Sequence, residues 1–220
     1  MYNIIMRIVV TGGNGMVGRC IKSIIHDYKD LEFTFLHRIG GEHSVELTDK
    51  DEVMQYFKSH TYDAIIHLAA NVGGLYKNMA RNIQMFQDNM LMNMNILEAC
   101  HTNNIQKGVF VLSSCIYPAN PSRFPMDETM IHEGPAHESN EGYAYSKRMM
   151  EMLCKQYNET FQRQYICVVP VNLYGPYDNF DLRDGHLIPM LMHRFFLTKD
   201  LPIAYGTGTP LRQFLYAPDF

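Results

Sequence analysis

The chain has 220 residues, 46% of them hydrophobic and 19% charged, which is enough apolar material for one substantial core and too much for a disordered, collagenous or coiled-coil chain. Nineteen Lys and Arg stand against 23 Asp and Glu, a formal net charge of -4, so no basic excess is available to neutralise a nucleic-acid backbone. No apolar run approaches the roughly 18 residues that span a bilayer, and the amino terminus does not read as a secretory signal. The five cysteines, Cys20, Cys100, Cys115, Cys154 and Cys167, are odd in number and scattered without metal-ligand spacing. These features predict a cytoplasmic chain with no structural metal, no nucleic-acid partner and no membrane.

Met6 to Val10 reads as a short apolar strand. It runs directly into Thr-Gly-Gly-Asn-Gly-Met-Val-Gly, after which Val17, Ile21, Ile24 and Ile25 recur at helical spacing. Gly12, Gly15 and Gly18 therefore form G-x-x-G-x-x-G in a strand-turn-helix unit, where the backbone can approach a pyrophosphate at a helix amino terminus. Asn14, Met16 and Val17 fill the same turn. Phe33 to Leu36 is a second strand. Beyond it, where an Asp or Glu would bind the ribose 2′-hydroxyl of NAD, stand His37 and Arg38. A guanidinium suits a 2′-phosphate, so NADP is expected over NAD, with a solvated surface Arg as the alternative. Glu46 and Leu47 could border the adenine.

Ala64 to Leu68, Val109 to Leu112 and Ile166 to Val171 are further continuous apolar strands, which implies burial on both faces. Helical stretches over Lys50 to Ser59, Gln84 to Asn104 and Tyr145 to Phe161 alternate with them. That order predicts an α/β fold with a doubly wound parallel sheet and right-handed crossovers. Met85, Met90, Met92, Met94 and Leu97 stripe the long helix as core or subunit interface. Ser113 ends the fourth strand, at the edge where doubly wound sheets bind ligands. Tyr143 and Lys147 stand four apart, so one helix face carries both, and a neighbouring ammonium should lower the phenol's pKa. Tyr143 is thus a candidate proton donor and Ser113 a hydrogen-bond donor to the same substrate oxygen.

After Asn172 the texture changes, with Pro176, Pro189, Pro202, Pro210 and Pro218 punctuating short segments. Residues 1–175 are expected to form a dinucleotide-binding domain. Residues 176–220 then begin a smaller substrate lobe, with a segment returning to the first domain. No amphipathic helix closes that lobe, so the chain is expected to be truncated.

Gly12, Gly15 and Gly18, then His67-Leu68-Ala69-Ala70, Ser113, and Tyr143 with Lys147 together resemble the extended short-chain dehydrogenase/reductase family. Within it, Val72-Gly73-Gly74-Leu75, Ser113-Ser114-Cys115-Ile116-Tyr117-Pro118, Asn172 to Phe180 and Gly185-His186-Leu187-Ile188-Pro189 resemble a branch acting on GDP-linked keto sugars. That resemblance implies epimerisation of GDP-4-keto-6-deoxy-D-mannose at carbons 3 and 5, then NADPH-dependent reduction at carbon 4 to give GDP-L-fucose. It implies Cys115 as base and His186 as acid. Cys115, two residues after Ser113, should project on the same side of a strand end, with an inert buried thiol as the alternative. An imidazolium is a suitable acid near neutral pH.

The resemblance further implies cofactor contacts from Leu68, Ala69, Ala70, Lys147, Pro170, Asn172, Leu173 and His186. Substrate contacts are implied for Ser114, Cys115, Asn172, Arg194, Tyr205 and Arg212, and a homodimer through the methionine-striped helix and the Tyr143 helix. The sequence departs from the pattern in two respects. Asn14 stands where some members are basic, which leaves more of the NADP preference to Arg38. The family usually runs to about 300 residues or more, so roughly a third of the substrate lobe is missing. Two alternatives stay open: a non-catalytic NADP-binding and dimerising module, and another nucleotide-sugar epimerase or dehydratase of the same family.

Overall fold

The computed structural model describes residues 5–196, 207–209 and 211–220. Alternation along the strands sends Val9, Ile65, Phe110 and Tyr165 to one side of a sheet and Ile8, Val10, Ala64 and Ile66 to the other, and apolar side chains cover both sides. The strands are β1 (Met6–Thr11), β2 (Leu31–Phe35), β3 (Ala64–His67), β4 (Lys107–Val111) and β5 (Gln164–Val168), all parallel, in the order β2-β1-β3-β4-β5. The helices are α1 (Met16–Ile24), α2 (Lys50–Ser59), α3 (Leu75–Ala80), α4 (Asn82–Thr102) and α5 (Glu141–Phe161). This is the doubly wound Rossmann-like arrangement. Because the chain leaves β1 for one side and returns as β3 on the other, a crevice opens at the carboxyl ends of these two strands. A parallel bridge between His37 and Ser44 extends the edge beyond β2.

Helix α2 has the expected bounds because Asp49 caps it, accepting the Glu52 N–H at 3.0 Å. Strands β4 and β5 begin before their apolar runs. Polar Lys107 and Gln164 pair through the backbone in the first rung. Helix α5 begins four residues before the expected start, since the Gly142 N–H donates to Asn82 Oδ1 at 2.6 Å and so ties its first turn to α4. On α4, Met85 and Leu97 are buried in the core, whereas Met94 is exposed.

A buried polar chain joins these elements. The His67 ring donates from Nε2 to Asn93 Oδ1 at 3.1 Å, an amide oxygen that can only accept, so Nδ1 accepts the Thr11 hydroxyl at 2.7 Å. Thr11 Oγ1 accepts the Leu68 and Ala69 N–H groups at 3.2 and 3.1 Å, and Asn93 Nδ2 donates to the Ser146 carbonyl at 3.2 Å. On the same helix Asn95 donates to the Leu47 carbonyl, while Asn89 donates to Asn71 and accepts from it. The inward face of α4 is thus partly amide, which weakens its apolar periodicity.

After β5, strand β6 (Asn172–Tyr174) pairs in parallel with β7 (Phe214–Tyr216), with helix α6 (Leu187–Phe196) between them in sequence. The turn at Ala217–Asp219 packs against α1, so this segment returns to the sheet domain. None of the described helices is long and apolar enough to cross a membrane.

Two stability outcomes follow. Phe110 is fully buried between the rings of His67 and Tyr165, with centroids at 5.8 and 5.2 Å. Phe110→Ala should cost about 3–5 kcal/mol in denaturant unfolding. Burial pushes His67 down to about 3, so between pH 6.5 and 3 the unfolded chain binds the proton that the folded chain refuses. Stability then falls with falling pH, at up to about 1.4 kcal/mol per pH step from this group. His67→Asn should flatten that part of the curve, read as the unfolding midpoint against pH.

Candidate active site

The crevice is a cleft of about 1070 Å³. Its floor is the glycine turn. Gly12 has φ +72°, and a Cβ there would lie 2.9 Å from the Ala69 nitrogen; a Cβ on Gly18 would lie 2.6 Å from the Gly12 carbonyl. Both glycines therefore permit contacts that a side chain would block. Gly15 begins α1 with no side-chain cap, so the first N–H groups of the helix face the cleft for an anion to use. Asn14, Met16 and Val17 line the same floor, and Lys22 donates to Asn14 Oδ1 at 3.2 Å. The turn position that lacks a basic residue is thereby reached by a cation from α1.

Leu68, Ala69 and Ala70 follow β3 along one wall, and Pro170, Asn172 and Leu173 follow β5 along the other. Arg38 lies at the far end, its Nε 2.7 Å from Glu46 Oε2. Glu46 is held by the Thr48 hydroxyl at 2.7 Å. Asn172 uses its amide Nδ2 to donate to the Gln213 carbonyl at 2.9 Å, which fastens β6 to the returning segment.

Ser113, Ser114, Tyr143 and Lys147 share the central wall. Lys147 is 2% exposed, donates to the Val111 carbonyl at 2.8 Å and lies 5.8 Å from the centre of the Tyr143 ring. Burial pushes the Lys147 ammonium down to about 8. Burial also pushes the Tyr143 phenol up, with Cys115 adding to the effect. This corrects the expectation of a lowered phenol: desolvation of both groups outweighs the ammonium, whose hydrogen bond goes to the backbone. Tyr143 is held as the neutral phenol.

Cys115 reaches its place beside Ser113 by a turn and not by the expected strand end. Strand β4 ends at Val111, and Ser114–Ile116 is a 3-10 turn with Ser113 as its cap. Strand alternation does not apply here. Ser113 is extended and caps the turn, and its side chain hydrogen-bonds that of Cys115, so the two still meet on one side. Half-buried Cys115 lies directly behind the cleft wall, against Ser113 and close enough to Tyr143 to influence it. Burial pushes its thiol up, opposed by Ser113 and by the charges of Lys147 and Arg148. Arg148, which sequence reasoning missed, is 5% exposed and donates to the Ile116 carbonyl at 2.7 Å and the Gly134 carbonyl at 2.8 Å. It braces the turn that carries Ser113 and Cys115. Its spacing from Tyr143 and Lys147 gave no signal, because a helical Arg beside a Tyr normally reads as surface.

His186 lines the cleft with its Nδ1 3.8 Å from Asp178 Oδ1. Asp178 lies within the Asn172 to Phe180 stretch, where no periodicity links it to His186. Arg194 and Arg212 are not in the cleft wall, and Arg212 donates to the Leu211 carbonyl. Tyr205 lies outside the described residues.

The sheet order, the glycine turn and the Ser113, Tyr143 and Lys147 wall define a dinucleotide-binding α/β protein. Residues 8–220 match the model of the NAD dependent epimerase/dehydratase family, and the chain belongs to that family. It is 42% identical over 216 residues to GDP-L-fucose synthase of Dictyostelium discoideum, covering 96% of this chain and 66% of that protein. It is 35% identical over 219 residues to GDP-L-colitose synthase of Yersinia pseudotuberculosis, covering 97% and 69%. The crystal structure of a GDP-L-fucose synthetase from Naegleria fowleri bound to NADP superposes with a TM-score of 0.86 at 38% identity, covering 97% of this chain and 70% of that one. The chain thus spans about two thirds of the length of the relatives it matches.

Since Lys147 loses its charge above about pH 8, dinucleotide affinity should weaken through that pH. Lys147→Arg should carry the falling limb to higher pH, measured as nicotinamide fluorescence on titration with reduced dinucleotide.

Proposed function

We propose that the chain is an NADPH-dependent epimerase-reductase of the GDP-L-fucose synthase type. It inverts carbons 3 and 5 of GDP-4-keto-6-deoxy-D-mannose and reduces carbon 4 to give GDP-L-fucose. The observation that carries this reading is that one cleft joins the glycine turn to Ser113, Tyr143, Lys147 and His186. The names of the relatives agree with it.

The cleft fits the cofactor: Gly12 and Gly18 let the turn pack tightly against the neighbouring backbone, the start of α1 is left without a side-chain cap, and Arg38 ends the cleft with a cation suited to a 2′-phosphate. When bound there, NADPH supplies the hydride for carbon 4. Lys147 lies beside Tyr143, where its ammonium can hold the nicotinamide ribose. Ser113 and Tyr143 donate to the keto oxygen, so charge that develops on it is met by preorganised donors. Tyr143, kept protonated by burial, passes its proton to the alkoxide formed at carbon 4.

For epimerisation, Cys115 takes a proton from the carbon next to the ketone and the electron pair moves onto the oxygen held by Ser113 and Tyr143. His186 returns a proton to the opposite face. Burial holds the Cys115 thiol up, and the Ser113 hydrogen bond with the charges of Lys147 and Arg148 works against it, toward the thiolate this step requires. Residues 1–175 are the cofactor-binding domain, and residues 176–220 belong to the substrate side, where Arg194 and Arg212 would meet the diphosphate. Ile83, Leu91, Met94 and Met152 leave apolar surface on α4 and α5, which supports a homodimer through these helices. The five cysteines are all free thiols, in keeping with a reducing cytoplasm. The likeness to GDP-L-colitose synthase favours one second reading, the same machinery acting on another GDP-linked keto sugar.

Incubating the purified chain with NADPH and GDP-4-keto-6-deoxy-D-mannose should oxidise the nicotinamide, read by absorbance, and yield GDP-L-fucose by product analysis. Oxidation with another sugar alone would select the second reading. Bound NADPH with no oxidation would reduce the chain to a binding module. Cys115→Ser should abolish solvent-deuterium incorporation into the keto sugar, and Tyr143→Phe should slow reduction at least about a hundredfold.

A further inference from the structure

Asp178 has no place in the chemistry above, yet its side chain is only 5% exposed and lines the cleft. Its Oδ1 accepts the Asn179 N–H at 2.7 Å, while Oδ2 is buried without a hydrogen-bond partner. A buried, unpaired carboxylate oxygen is costly and calls for a partner. The nearest cation-capable group is His186, whose Nδ1 is also buried without a hydrogen-bond partner, 3.8 Å from Oδ1. Among the described residues Asp178 is the carboxylate within ion-pair reach of this ring.

The two backbones are braced independently. The His186 carbonyl accepts the Met190 N–H at 3.0 Å, and the Gly185 N–H donates to the Asp181 carbonyl at 2.9 Å. Other charged groups nearby are otherwise engaged or farther off. Asp181 accepts the Arg183 and Asp184 N–H groups, Lys77 donates to the Val72 carbonyl, and Arg19 lies over the Tyr177 ring. Asp184, Arg81 and Lys147 share the cleft wall.

Although Nδ1 is buried, the His186 side chain is 44% exposed, so the edge open to the cleft is the one that bears Nε2. Resting on the function proposed above, we propose that Asp178 is the positioning residue of His186. Its carboxylate takes the Nδ1 hydrogen, which leaves Nε2 as the atom that exchanges protons with the substrate. A closing of about 1 Å turns the pair into a full hydrogen bond, the kind of tightening that accompanies substrate binding. The proton on one imidazole nitrogen is set by the bond made at the other.

The test is the tautomer of His186, read by long-range nitrogen-proton NMR near pH 9 and assigned by difference against His186→Gln. The whole chain carries its proton on Nδ1. In Asp178→Asn a neutral amide oxygen, still shared with the Asn179 N–H, replaces the carboxylate that faced Nδ1 and holds its hydrogen more weakly. The tautomer balance then shifts toward Nε2, and kcat for solvent-deuterium exchange falls at least about tenfold with KM nearly unchanged. An identical tautomer in the two proteins overturns the proposal. If Asp178→Asn does not fold, a wild-type proton on Nε2 overturns it equally. The tautomer is measured without substrate, so absent turnover would count against the proposed function and leave this assignment to be decided by the spectra.

Discussion

The rest of the structure depends on a single neutral histidine. His67 stands at the carboxyl end of β3, buried, with its two nitrogens committed in opposite senses to Thr11 and Asn93. A protonated ring could not accept from Thr11, so the chain of bonds exists only while burial keeps the proton off. Through Thr11 it fixes the backbone after β3 against the glycine turn. Through Asn93 it reaches the Ser146 carbonyl, one residue from Lys147. The floor of the cleft and its Tyr143 and Lys147 wall are therefore positioned by one satisfied polar network, the kind that specifies a unique arrangement because each member is costly to leave unpaired.

The same low-polarity interior shapes the chemistry. Desolvation moves Lys147 and Tyr143 in opposite directions along the pH scale, and both shifts favour the neutral form. The phenol stays a reservoir of one proton, and the ammonium is poised close to release. Cys115 lies under the same influence, but two cations and a serine oppose it. Arg148 matters here twice, as a brace for the turn and as a nearby charge.

Much of this was legible in the sequence, for definite reasons. Strands such as Ile8–Val10 and Ala64–Ile66 are apolar on both faces, and the glycines fall where a backbone must come close to another, so fold and cofactor floor follow from composition and spacing. Lys50–Ser59 could be bounded because its cap is local. What escaped was set by contacts distant in sequence. The start of α5 is fixed by Asn82, sixty residues away. The direction of Cys115 depends on a turn replacing the strand after Val111. The proton affinity of Tyr143 depends on how deeply the helix is buried, which spacing to Lys147 does not reveal. Asp178 and His186 are eight residues apart with a loop between, and no periodicity links them.

The pairing of Arg38 with Glu46 has a consequence for how the cleft treats ionic strength. Arg38 is largely in solvent and already neutralised by a carboxylate that Thr48 holds in place. A phosphate arriving there exchanges one anion for another and adds no new ion pair. Screening weakens the outgoing and the incoming contact together. Attraction at that end should depend less on salt than a lone arginine would suggest. Selection between ligands with and without a phosphate at that position then becomes a competition judged by geometry, in which a doubly charged, tetrahedral group is compared with a planar carboxylate already in the seat.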